Sequence, residues 1–163
     1  MIMRQASRPD AEAIHGLRVA AEQWLAGRGI QQWGMGEVSL ADVRSQIGRG
    51  EWPVCRSGDI VCAGLRLLWS DSLVWQAADD ATVAAYVHGL VIDRQHAGTG
   101  LGASLLAWAG HRGRNAGAIV LRLDCVQANA GLRRYYARLG FREVGTRDFH
   151  GRLSVVLLEK DLA

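Results

Sequence analysis

Proline and cysteine are scarce in this chain of 163 residues, with two of the first and three of the second. So little proline, with 49% hydrophobic and 21% charged residues, excludes a disordered or collagen-like polymer. An odd number of cysteines, set in apolar strand-like surroundings without metal-ligand spacing, suits a reducing cytosol. Long apolar runs are missing too. Stretches such as Ile60–Leu65 stop far short of the roughly 20 residues that a membrane span needs. The opening Met1-Ile2-Met3-Arg4 has no secretory apolar region. These absences predict a soluble cytoplasmic protein with no membrane partner, and the length suits a single domain over residues 1–163. Lysine is nearly absent, since 18 of the 19 basic residues are Arg and they are spread along the chain. A nucleic-acid binder clusters its cations and interleaves aromatics, so the pI of about 9.1 does not imply a nucleic-acid partner.

Glycine is in surplus at 20 residues, and charge is uneven. Residues 1–36 carry a net +1, residues 37–93 carry −4 and residues 94–163 carry +6. This gradient describes either solvated surfaces or a bipartite site, with a polyanion held by the C-terminal part and a cation facing the middle. No repeat, linker or low-complexity tract interrupts the chain. A strand is expected over Ile2–Ala6 and a helix from Pro9-Asp10 to about Ala26, stopped by Gly27 and Gly29. Ser39 with Asp42 predicts the capped start of a short second helix. Glu51–Arg56 and Ile60–Trp69 read as a hairpin around Ser57-Gly58-Asp59. Beyond a polar loop come a long strand (Thr82–Ile92), a helix (about Gly100 to Ala116), a strand (Ala118–Cys125) and a helix (Asn129–Leu139). Two strands, Phe141–Arg147 and Arg152–Lys160, close the chain. The order β-α-α-β-β-β-α-β-α-β-β predicts a mixed sheet covered by helices.

The segment from Leu90 to Gly102 carries the strongest chemical signal. A strand runs into glycines at alternate positions, Gly98, Gly100 and Gly102, and these open an amphipathic helix. Glycines let backbone amides approach a ligand, and a helix start adds unpaired N–H groups and a positive dipole end. Such a loop suits a phosphate or pyrophosphate. A dinucleotide fold would place it after the first strand. A P-loop would follow it with Lys-Ser/Thr, which is missing.

On these residues the chain resembles the GNAT superfamily of acetyl-CoA-dependent N-acetyltransferases, over nearly its whole length. The family's Q/R-x-x-G-x-G/A pattern falls on Ala97 to Gly102, with Ala97 where Gln or Arg is usual. A second matching segment runs from Asn129 through Tyr135-Tyr136-Ala137-Arg138-Leu139-Gly140-Phe141, with Leu132 in place of the family's Ala. The resemblance implies an α/β (α+β type) GNAT fold, a mixed and mostly antiparallel sheet of about seven strands flanked by about four helices. It implies acetyl-CoA as co-substrate and no metal. Acetyl-CoA would be bound at Ala97, Gly98, Thr99, Gly100, Leu101, Gly102, Ala103 and Asn129. Backbone groups of Leu90, Val91 and Ile92 would pair with pantetheine and stabilise the oxyanion. Dimers are common in the family, so a homodimer is implied as well.

An N-acetyltransferase must deprotonate an amine and protonate a leaving thiolate. His88, two residues before Leu90, is the expected base, since an imidazole's ordinary pKa of about 6.5 suits that task. The alternative is a hydrogen-bonded strand histidine. Asp93 and Asp124 are further bases. Tyr136 is the expected acid, or else a core aromatic, and Cys125 reads as a buried small residue. Arg133, Arg134 and Arg138 are phosphate partners or a solvated helix face. The acidic middle, including Asp71, Asp79 and Asp80, favours a cationic small-molecule amine. Trp33, Trp75 and Asp124 are expected to bind it, the indoles by cation–π contact. The reading is therefore acetyl transfer to a primary amine of a small acceptor such as an antibiotic, polyamine or amino acid. Two alternatives stay open, a non-catalytic acyl-CoA sensor and a protein N-terminal or lysine acetyltransferase.

Overall fold

The computed structural model describes residues 1–76, 81–151 and 153–162, so Asp79 and Asp80 lie outside the described residues. The strands are β1 (Ile2–Gln5), β2 (Pro53–Ser57), β3 (Ile60–Leu68), β4 (Ala84–Ile92), β5 (Val120–Val126), β6 (Arg142–Phe149) and β7 (Leu153–Asp161). The helices are α1 (Ala11–Gly27), α2 (Leu40–Gly48), α3 (Leu101–Asn115) and α4 (Ala130–Arg138), with short 3-10 turns at Arg8–Asp10 and Arg94–His96. The strands hydrogen-bond in the order β1-β2-β3-β4-β5-β7-β6. β4 and β5 run parallel, as the helix between them requires, while β1–β2, β2–β3, β5–β7 and β6–β7 are antiparallel. The mixed, mostly antiparallel architecture expected from the sequence is the one found. Element ends differ by a residue or two: β4 begins at Ala84 and β2 at Pro53, both two residues later than the sequence suggests.

The chain forms two compact units. One comprises Met1–Leu67 and Gly89–Leu106, the other Leu68–His88 and Ala107–Ala163. In the first unit α1 and α2 bury one stripe each, with Ile14, Val43 and Ile47 meeting Val54, Val61 and Val91 in a common core. Ser39 caps α2 as expected, its hydroxyl accepting from Asp42 N while Asp42 accepts from Ser39 N. β3 is buried almost continuously from Val61 to Leu65, which a strand covered on both faces requires. α1 also buries an ion pair, Arg18 Nε to Glu22 Oε1 at 2.8 Å. Glu22 Oε2 accepts from Gly36 N, and Arg18 reaches on to Glu37. The segment between α1 and α2 is therefore tied to α1 by charge.

The second unit is organised by the two faces of β5. Leu121, Leu123 and Cys125 point into the core, while Arg122 and Asp124 point the other way. Two glycines of α3 allow close packing here: a Cβ at Gly113 would lie 3.0 Å from that of Ala85, and one at Gly110 3.1 Å from Leu162. β6 is exposed along most of its length and carries Arg142, Glu143, Arg147 and Asp148, charges that suit a sheet edge.

Candidate active site

The glycine segment is built as the sequence suggests. Gly98 and Gly100 have φ of 77° and 83°, a left-handed conformation that L side chains resist. The turn at Arg94–His96 consumes amides before the loop begins, since His96 N donates to Asp93 O and Ala97 N donates to Arg94 O at 3.2 Å. Ala97 thus keeps its N–H for the protein. At the other end Ser104 N donates to Gly100 O at 3.1 Å, so the amides just before Ser104 are the helix start that has no intrahelical acceptor. Gly98, Thr99, Gly100, Leu101, Gly102 and Ala103 are therefore the positions where backbone N–H groups can receive an anion. Arg94, three residues ahead of Ala97, lies over the Trp24 ring at 3.9 Å, and Arg28 lies over the same ring at 4.5 Å. A cavity of about 300 Å³ opens beside the loop in this unit, lined by Met1, Met3, Cys55, Thr99, Leu101, Ser104 and Leu105. Its wall is thioether, thiol and hydrocarbon with two hydroxyls.

Val91 is buried in the core of the first unit, while Leu90 and Ile92 are half-buried. Their expected role rests on backbone groups. Gly89, with φ of 58°, puts a left-handed residue inside β4 directly after His88. That residue interrupts the pleat of the strand. A Cβ there would meet the Trp52 ring at 3.4 Å.

The second unit assembles the titratable groups. The parallel β4–β5 pairing ends at Tyr86↔Arg122. Two residues further along each strand His88 faces Asp124 through side chains, Nδ1 lying 3.5 Å from Oδ1. The opposite ring nitrogen, Nε2, is 2.7 Å from Asp71 Oδ2. Asp71 comes from the β3–β4 connection, and its Oδ1 accepts from Val74 N at 3.1 Å. His88 thus stands between two carboxylates. Burial alone raises the Asp71 carboxyl, but the hydrogen bond and charge of His88 and the N–H groups of Val74 and Leu73 hold it below the usual carboxylate range. Asp124 goes the other way. Burial pushes it up and the Asp71 charge adds to that, with His88 opposing. The sequence places Asp71 only in the acidic middle of the chain.

The same connection supplies Trp75, whose ring meets Tyr86 edge-on with centroids 6.2 Å apart and carries the Arg122 guanidinium at 4.6 Å. Arg122 is buried and paired with Glu159 at 2.8 Å. Trp75 is itself buried, 9% exposed, so its expected contact with a cation is made by the protein's own arginine. Trp33 is half-buried, and its ring likewise holds one of the protein's own arginines, Arg18, at 3.8 Å.

Asn129 caps α4, its Oδ1 accepting from Leu132 N at 3.1 Å. Tyr136, on α4, is buried between Tyr135 and Phe141, with ring centroids 5.5 and 5.7 Å away. Burial, then the charges of Cys125, Tyr135 and Asp124, push its phenol well above the usual tyrosine range, so it holds its proton throughout the physiological range. Burial likewise raises the Cys125 thiol to about 11, which keeps it protonated and removes it as a nucleophile near neutral pH. Arg133 pairs with Glu143 through two bonds of 2.7 and 3.0 Å and donates to Gln127 O, as a residue of a solvated helix face does. Arg134 and Arg138 stand exposed on α4.

Comparison with known proteins follows the same lines. The family model described as "Acetyltransferase (GNAT) family" matches residues 20–141. The chain is 33% identical over 143 residues to the uncharacterized N-acetyltransferase YesJ of Bacillus subtilis (strain 168), covering 83% of this chain and 78% of that one. Among solved structures, a GNAT-family acetyltransferase from Listeria monocytogenes 4b F2365 superposes with a TM-score of 0.79 at 22% identity, over 98% of this chain and 94% of that one. The acetyltransferase yncA of Salmonella typhimurium, solved with its cofactor acetyl-CoA, superposes with a TM-score of 0.72 at 20% identity, over 100% and 94% of the two chains.

Proposed function

The chain belongs to the GNAT acetyltransferase family, and from that premise we propose that it moves the acetyl group of acetyl-CoA directly to a primary amine of a small cationic acceptor. The observation that carries the acceptor half of this reading is His88 held between Asp71 and Asp124. Nδ1 of His88 and Oδ1 of Asp124 are 3.5 Å apart, so one ammonium nitrogen can lie within hydrogen-bond reach of both. An ammonium offers three N–H donors, enough for both acceptors, and Asp124 supplies the opposite charge.

The co-substrate brings an activated thioester. The chain's part is to hold the diphosphate, hold the amine and move protons. Backbone amides from Gly98 to Ala103 take the pyrophosphate, and Leu90, Val91 and Ile92 offer main-chain groups to the pantetheine arm. At the amine, Asp124 binds the cation and His88 Nδ1 receives its proton, which frees the nitrogen lone pair for attack on the acyl carbon. Tyr136 is assigned the proton for the departing sulfur. Its raised pKa keeps the phenol protonated and makes it a weak acid, so it meets the departing sulfur first as a hydrogen-bond donor.

Turnover tests the reading. Purified protein, acetyl-CoA and a panel of small amines are mixed, and free thiol is followed. Release is expected with cationic primary amines. Removal of a general base should lower kcat by about 10²- to 10⁴-fold in His88→Ala, with Tyr136→Phe also slowed. Acetyl-CoA binding without thiol release from any amine would instead favour the sensor.

A further inference from the structure

We propose that Asp71 is the positioning residue of the His88 base, fixing the tautomer that leaves Nδ1 free to accept the amine proton; this rests on the reading of His88 as base. Two carboxylates flank the ring, and their hydrogen-bond partners separate their roles. Asp71 Oδ2 lies 2.7 Å from His88 Nε2, and its other oxygen accepts from Val74 N at 3.1 Å. Both oxygens are therefore engaged by the protein. An ionised carboxylate only accepts, so Nε2 must carry the ring proton that binds it. In the neutral ring Nδ1 is then the lone-pair nitrogen, and it faces Asp124 across 3.5 Å. Asp124 is too distant from Nδ1 for a good hydrogen bond, and so sets no tautomer.

The connection that brings Asp71 to His88 is pinned by its own side chains. Trp75, four residues on, is buried against Tyr86 and under Arg122. Tyr86 and His88 share one face of β4, and Arg122 and Asp124 share one face of β5. The turn from Asp71 to Trp75 therefore crosses a four-residue polar face, Asp71 meeting its second row and Trp75 its first.

The bond from Val74 N dictates what an isosteric change does. In Asp71→Asn the side-chain oxygen stays with Val74 N–H, because the backbone donor needs an acceptor, and the NH2 group turns to His88. Nε2 must then accept, the ring proton moves to Nδ1, and the base is blocked without a change of shape.

Nitrogen-15 NMR of the imidazole reads the tautomer, and steady-state kinetics reads its consequence. The wild type is expected to carry its proton on Nε2 and Asp71→Asn on Nδ1. Its kcat should fall by about 10²- to 10⁴-fold while KM for the amine stays within about threefold. Asp71→Glu, which keeps an acceptor, should recover part of kcat. A wild-type ring protonated at Nδ1 overturns the proposal before any variant is made. Turnover unmoved by Asp71→Asn overturns the role of Asp71 alone, whereas no turnover by the wild type overturns the base reading and this role together.

Discussion

At the scale of single residues, two aspartates of opposite character stand on either side of one imidazole. Asp71 is satisfied on both oxygens and held below the usual carboxylate range, whereas Asp124 is raised by burial. A folded-state pKa above the unfolded value means that the folded chain binds the proton more tightly. That contribution favours folding below the ordinary carboxylate pKa and is lost as pH rises through the raised value. Above that raised value the ionised Asp124 therefore weighs against the fold. Asp124→Asn is expected to raise Tm at pH 7, with the gain shrinking toward acid pH, where the native carboxyl is protonated too. Its KM for a cationic amine should rise by about 10- to 100-fold, the worth of one charge-assisted hydrogen bond. Calorimetry across pH beside kinetics checks both. A lower Tm at pH 7 would show that Asp124 serves the fold rather than the amine. Position explains why this contrast was only half legible in the sequence. Asp124 stands on a strand next to the expected base strand, so its place could be read. Asp71 sits 17 residues before His88 in a polar connection, with no periodicity to place it.

At the scale of elements, β4 does two jobs that pull against each other. It pairs with β5 as far as Tyr86, and in the proposed reading it offers main-chain groups of its own beyond His88. Gly89, left-handed at φ of 58°, makes the change of course. A side chain there resists the conformation, so Gly89→Ala is expected to lose about 1–2 kcal/mol. For a chain of this length that is roughly 2–8 °C in Tm, read by thermal denaturation. Activity should fall by more than the stability loss explains, because His88 precedes the turn. A variant of unchanged Tm and activity would mean that the left-handed residue is dispensable. The glycine loop was legible as a loop, since Gly98, Gly100 and Gly102 alternate before a helix. Gly89 was not, because a lone glycine inside a β-branched run looks like any other strand residue.

At the scale of the whole molecule, the +6 of residues 94–163 is already net of the ion pairs the segment contains. Arg133 holds Glu143, Arg142 holds Glu159 and Asp161, and Arg122 holds Glu159. In the proposed reading the co-substrate's phosphates rest on the backbone amides of the glycine loop. Acetyl-CoA at about 100 times its Kd should add about 2.7 kcal/mol of stability by mass action. An acetyl-pantetheine lacking the phosphates should give little of that shift at equal concentration. Equal thermal shifts from the two would remove the phosphate role of the loop. The sequence by itself determined the element order and the mixed sheet, and it offered the glycine loop and His88 as candidates. Those features follow from local periodicity, turn residues and short spacings, which the chain carries wherever it folds. Only the tertiary structure decided which carboxylates flank His88, and that the rings of Trp33 and Trp75 are occupied by Arg18 and Arg122. Those pairings join residues 15 to 47 positions apart, across connections of no fixed length, and only the packed strands and loops choose among such partners.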